Sequence, residues 1–91
     1  MNKLFDLGQI VFTPGVMDLL SNPGTPDFRG LLLRHVSGDW GDLSAEDKAE
    51  NDLSVKEGFR ILSAYETKAG KVWIITECDR SATTLLLPSE Y

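Results

Sequence analysis

Arg60-Ile61-Leu62-Ser63-Ala64-Tyr65, Lys71-Val72-Trp73-Ile74-Ile75-Thr76-Glu77 and Ala82-Thr83-Thr84-Leu85-Leu86-Leu87 decide the fold. β-Branched, aromatic and aliphatic residues dominate these three runs, and short polar links separate them, which is the pattern of strands. Thr67-Lys68-Ala69-Gly70 reads as a four-residue hairpin loop with Gly late, where a positive φ is often needed. Cys78-Asp79-Arg80-Ser81 is a second tight link, and Pro88 ends the sheet. Three strands in succession with short connections predict an antiparallel meander.

Upstream the period is helical. Gln9-Ile10-Val11-Phe12 is a first short strand, and Thr13-Pro14 then starts a helix, with Thr as N-cap and Pro at the first helical position. Val16, Met17, Leu19 and Leu20 fill that helix before Ser21-Asn22-Pro23-Gly24 stops it. Thr25-Pro26 repeats the start, with Asp27 in the first turn. Phe28, Leu31, Leu32 and His35 follow at i, i+3, i+4 and i+7, widened by Leu33 and Val36, and Gly38 is a left-handed cap. A third helix starts at Ser44 and stops at Gly58; its thin apolar stripe is Ala45, Ala49, Leu53 and Val55. The class is α+β: two or three short helices packed on a small antiparallel β-meander of three to four strands, in a single domain spanning 1–91.

At 91 residues, with 42% hydrophobic and 25% charged content, the chain is the size of one packed domain, and two would each be too small to hold a core. No apolar run reaches the ~20 residues of a membrane helix. An acid at Asp6 interrupts any export-signal pattern, and a lone Cys78 forms no internal disulfide, so the expected compartment is the cytoplasm. The net charge of −5 has the wrong sign for a general nucleic-acid binder, so no direct DNA binding is expected. That charge is localised. Residues 39–57 hold seven acids against two lysines, while acids and bases balance over the rest. The segment is either a solvated helix face or a surface for a basic partner.

Candidate chemistry is sparse. His35 is the only histidine, and on an apolar stripe it is first a packed core residue and second a general acid/base. Glu77 and Arg80, at a strand end and the following turn, would complete the acid, base and cation of a metal-free ribonuclease. Ser81, Thr83 and Thr84 lack a nucleophile motif, and Cys78 reads as a small half-buried apolar group. Asp39, Asp42, Asp47 and Glu50 lack calcium-loop spacing, so neither a metal site nor a cofactor is expected. Trp73 is expected in the core. Trp40 plugs the gap between the second and third helices or, alternatively, anchors a partner.

Arg34-His35-Val36-Ser37-Gly38-Asp39-Trp40-Gly41, the run from Trp73 to Thr84, and Leu87-Pro88-Ser89-Glu90-Tyr91 resemble a family of small bacterial proteins of plasmids and other mobile elements. The resemblance covers nearly the whole chain. It implies an accessory role in mobile DNA, such as interference with host defence, and assigns no catalytic residue. Together with the charge it favours a non-enzymatic domain that uses Asp39, Trp40, Asp42, Glu46, Asp47 and Glu50 to occlude a basic protein, such as a nuclease or defence component. The alternatives are the ribonuclease of His35, Glu77 and Arg80, and a homodimer or larger homo-oligomer paired through the outer edge of the meander.

Overall fold

A computed structural model of the chain describes residues 3–23 and 27–91. Strand β1 (Gln9–Phe12) leads into helices α1 (Pro14–Leu20), α2 (Phe28–Val36) and α3 (Ala45–Glu57). Strands β2 (Ile61–Thr67), β3 (Gly70–Thr76) and β4 (Ala82–Leu86) follow, and a 3-10 turn spans Pro88–Glu90. The fold is α+β, and β2, β3 and β4 form the antiparallel meander. The fourth strand departs from the antiparallel expectation. β1 lies beside β4 and runs parallel to it, giving the sheet order β1-β4-β3-β2. A parallel neighbour needs a long connection; here three helices carry the chain from β1 to β2 at the far edge of the sheet, and the meander returns it to β4 beside β1.

Local chemistry explains the element ends. The Thr13 hydroxyl accepts from the Val16 N–H, and that of Ser44 accepts from the Asp47 N–H, so both expected caps form. The Thr25-Pro26 start lies outside the described residues. Asp27 is the N-cap of α2 rather than a first-turn residue, its carboxylate accepting from the Arg29 N–H. At the far end the Asp39 N–H donates to the Arg34 carbonyl and the Gly38 N–H to that of His35, the paired bonds of a Schellman ending. The β2–β3 loop is tighter than expected. Thr67 and Gly70 pair across the strands, leaving a two-residue turn of Lys68 and Ala69, and the Thr67 hydroxyl accepts from the N–H groups of Ala69 and Gly70.

The strand alternation divides the sheet. Tyr65, Val72, Ile74 and Leu85 pack with Val16, Leu31 and Leu32 of the helices, and a second cluster joins Phe5, Val36, Trp40 and Ile61. Leu32, Ile61, Ile74 and Leu85 are buried, as their periodicity requires. Trp73 is not in that core. It follows Val72 and precedes Ile74, so it points to the opposite face, where it is half-buried and meets the Tyr91 ring edge-on at 5.6 Å. Leu33 likewise turns to solvent instead of widening the α2 stripe.

Candidate functional site

His35 sits in the core as the middle of a hydrogen-bond chain. Nδ1 lies 2.6 Å from Ser63 Oγ, Nε2 lies 2.9 Å from Thr76 Oγ1, and Thr76 Oγ1 lies 2.8 Å from Thr83 Oγ1. The chain ends where Thr83 donates to the Leu7 carbonyl at 2.7 Å. A carbonyl cannot donate, so this last bond orients every proton before it. Thr83 accepts from Thr76, Thr76 accepts from the Nε2–H of His35, and Nδ1 accepts from Ser63. The imidazole is thereby fixed as one neutral tautomer. Burial, with the positive charge of Arg80 adding to it, lowers its pKa to about 3. The rings of Phe5 and Trp40 stand edge-on to it at 5.2 and 6.0 Å. A fully buried, neutral histidine with both nitrogens bonded is not a general acid/base near neutral pH.

The rest of the proposed ribonuclease trio does not converge. Glu77 continues the alternation after Thr76, so its side chain belongs to the sheet face opposite His35. Arg80 is consumed by the fold. Its guanidinium donates to the carbonyls of Phe59, Glu77 and Ser54 at 2.7, 3.1 and 2.9 Å, tying the β3–β4 turn to the C-terminal end of α3. With no shared cleft, His35, Glu77 and Arg80 do not form a catalytic centre. Cys78 is exposed rather than half-buried, because it sits in the turn where the sheet has ended. Among the described residues, no three His, Cys, Asp or Glu side chains gather as a metal site, and no helix is long and apolar enough to cross a membrane.

The acidic segment separates into two groups. Asp39 pairs with Arg34 at 2.7 Å and accepts from the Gly41 N–H, which holds its carboxyl below the usual carboxylate range. Asp42 accepts from the Glu66 N–H at 3.0 Å, and Asp52 accepts from the Trp40 indole N–H at 3.0 Å. Trp40 itself is only 3% exposed, so it fills the gap between helices and offers no surface anchor. Asp39, Trp40 and Asp42 are therefore committed to the loop that packs against β2. At Gly41 that loop has φ 77°, and a Cβ there would collide with the Ala64 carbonyl. Glu46, Asp47 and Glu50 differ: among the described residues no cation pairs with them.

Those three carboxylates border a groove of about 780 Å³ between α3 and β2, whose apolar lining is Leu43, Ala49, Leu53 and Leu62. The apolar stripe of α3 thus has a different role from the expected one. Ala45, Ala49 and Leu53 face outward, Val55 alone reaches the core cluster, and the buried face is polar, carried by Asn51 and Ser54. Asn51 explains why. Its amide donates to the Leu62 carbonyl at 2.7 Å and accepts from the Leu62 N–H at 3.2 Å, as a neighbouring strand would. Next along β2, the Ala64 N–H donates to the Trp40 carbonyl and its carbonyl accepts from the Asp42 N–H. The outer edge of the meander is already occupied, which removes it as a two-fold pairing surface. Leu43 and Leu62 are not legible as site residues in the sequence, since only the tertiary fold brings them beside Glu46 and Glu50. No protein-family model, curated protein sequence or solved structure matches this chain.

Proposed function

We propose that this chain is a non-enzymatic binding domain whose working surface is the acidic wall of α3, and that it occludes a basic protein partner. The observation that carries the reading is Glu46, Asp47 and Glu50 standing, among the described residues, without cations beside an apolar concavity. Glu46 and Asp47 have a local reason to be there, since first-turn carboxylates complement the helix dipole. Glu50 lies beyond that turn, one helical turn from Glu46, where a like charge is mildly destabilising. A partner's Lys and Arg side chains would offset that repulsion. If those cations otherwise hold phosphates, as in a nuclease or defence component, pairing them here blocks the phosphate path. The setting in mobile DNA rests on the resemblance of residues 34–41, 73–84 and 87–91.

The test is association kinetics with a purified protein retained from host lysate and eluted by salt. Glu46→Gln, Asp47→Asn and Glu50→Gln together should slow association and flatten its salt dependence, because steering acts through charges screened beyond ~8 Å at physiological ionic strength. Equal on-rates for both proteins at low and high salt would reduce the segment to a solvated helix.

A further inference from the structure

The acidic wall of α3 sets the charge of a partner, and the groove beside it sets the partner's shape. Resting on the binding-surface proposal, we infer that the α3–β2 groove is a docking site for an amphipathic basic helix of that partner. The helix seats apolar side chains on Leu43, Leu53 and Leu62 and sets Lys or Arg against Glu46, Asp47 and Glu50. The groove has two chemistries side by side. Its floor leaves Leu53 47% exposed, and its rim carries three carboxylates that no cation of the described residues pairs. A hydrophilic polycation would satisfy the rim and leave the floor in water. A neutral apolar ligand would cover the floor and strand the carboxylates. Only an occupant carrying both groups satisfies the site, and phosphate-bearing ligands are repelled.

Length and backbone chemistry select the form of that occupant. The lining from Glu46 to Leu53 runs along two turns of α3, about 10 Å at 1.5 Å per residue, and Leu43 extends the wall beyond its N-terminus. The groove volume lies within the several-hundred-Å³ range of sites that hold large apolar groups. An extended strand is excluded as a β2 neighbour. The Leu62 N–H and carbonyl are taken by Asn51, those of Ala64 by Trp40 and Asp42, and the Glu66 N–H by the Asp42 carboxylate. Strand addition depends on open edge groups, whereas a helix arrives with its backbone satisfied and presents anchors at i, i+3, i+4 and i+7. An apolar face flanked by Lys and Arg is the complement of this surface.

Synthetic peptides test this on the whole chain by amide NMR titration at low and high salt. One is a helix-forming Lys/Arg peptide with Leu at i, i+3 and i+7. The second has those Leu replaced by Ser, the third keeps Leu but carries Glu in place of Lys and Arg, and the fourth interrupts the first with Pro. The first should bind saturably and more weakly at high salt, with shifts concentrated at Leu43, Ala49, Leu53 and Leu62. The other three should bind at least about tenfold more weakly, the scale set by removing an interface anchor. Leu53→Asn, a change at a half-exposed position outside both core clusters, should leave the chain folded and weaken the first peptide to the level of the second. Equal binding by the Ser peptide overturns the groove and leaves the acidic surface standing, and equal binding by the Pro peptide overturns the helical form. Silence from all four overturns the docking site, while salt-dependent association of the captured protein decides the broader reading separately.

Discussion

The indole N–H of Trp40 donates to the carboxylate of Asp52 at 3.0 Å, so one exposed acid of the charged segment satisfies the polar atom of a buried ring. The same stretch of sequence therefore holds carboxylates of two kinds. Asp39, Asp42 and Asp52 are bonded within the fold, to the Arg34 guanidinium, the Glu66 N–H and the Trp40 indole, while Glu46, Asp47 and Glu50 face the groove. Asp52→Ala should cost about 1–3 kcal/mol, the range for leaving a buried donor without a partner. Asp52→Asn keeps an acceptor and should cost less. Glu46→Gln and Glu50→Gln should stay within about 0.5 kcal/mol, as surface changes do. Urea denaturation midpoints of the four variants check the division; equal losses at positions 50 and 52 would contradict it.

Arg80 is a structural clamp with an unusual backbone, being the only described non-glycine residue at positive φ, 60°. Arg80→Ala removes three bonds to carbonyls and keeps the strained backbone, so a loss of about 2–4 kcal/mol is expected. Arg80→Gly loses the same bonds but adopts positive φ freely. It should therefore be the more stable of the two by about 1 kcal/mol, the order of the left-handed penalty. Thermal unfolding of both variants measures that difference, and an alanine variant at least as stable as the glycine one would deny the backbone strain.

His35 makes stability depend on pH well above the carboxylate range. Folded, its pKa is lowered to about 3; unfolded, it titrates near the ordinary 6.5. The unfolded chain thus takes up the proton first, so the stabilisation is complete above pH 6.5 and is lost as pH falls toward 3. Between pH 7 and pH 5 the wild type should lose about 2 kcal/mol, from ~1.4 kcal/mol per pH unit once the unfolded histidine is charged. Asp39, held low by Arg34, adds its own loss only at lower pH. His35→Gln should be less stable at pH 7 yet nearly flat over the same interval. Denaturation series at pH 7, 6 and 5 separate the two curves, and parallel slopes would mean that His35 is not held neutral.

The sequence carries the strands, the caps at Thr13 and Ser44, and the ending at Gly58 because each is local chemistry. The parallel placement of β1 beside β4 is not legible there, since no residue of Gln9–Phe12 encodes which distant strand it meets. Trp73 misleads because its size argues for the core while the period-2 alternation with Val72 and Ile74 argues against it, and the alternation decides. In α3, hydrophobicity points to Ala45, Ala49 and Leu53 as the inward face. The helix instead meets the edge of a sheet, whose unsatisfied backbone groups call for an amide, and Asn51 takes the buried position. The acidic site is half legible: the charge of residues 39–57 is plain in the sequence, but which carboxylates are free depends on Arg34, Trp40 and Glu66.

Asn51 decides whether the β2 edge of the sheet is open. Its amide bonds both backbone groups of Leu62, and only a side chain with one donor and one acceptor at that distance from the helix can do so. Asn51→Ala leaves a half-buried N–H and carbonyl without partners and should cost about 2–4 kcal/mol, from two unmet groups at ~1–3 kcal/mol each with water recovering part of the loss. Asn51→Asp keeps the acceptor for the N–H but sets a carboxylate against the Leu62 carbonyl, so it should lie well below the wild type despite its near-identical shape. Both changes also expose strand groups that invite pairing with another chain. Light scattering on the folded variants should accordingly show concentration-dependent association beyond that of the wild type. A fully stable, monomeric Asn51→Ala protein would mean that the β2 edge is not sealed by this residue, and the exclusion of strand-like ligands from the groove would fall with it.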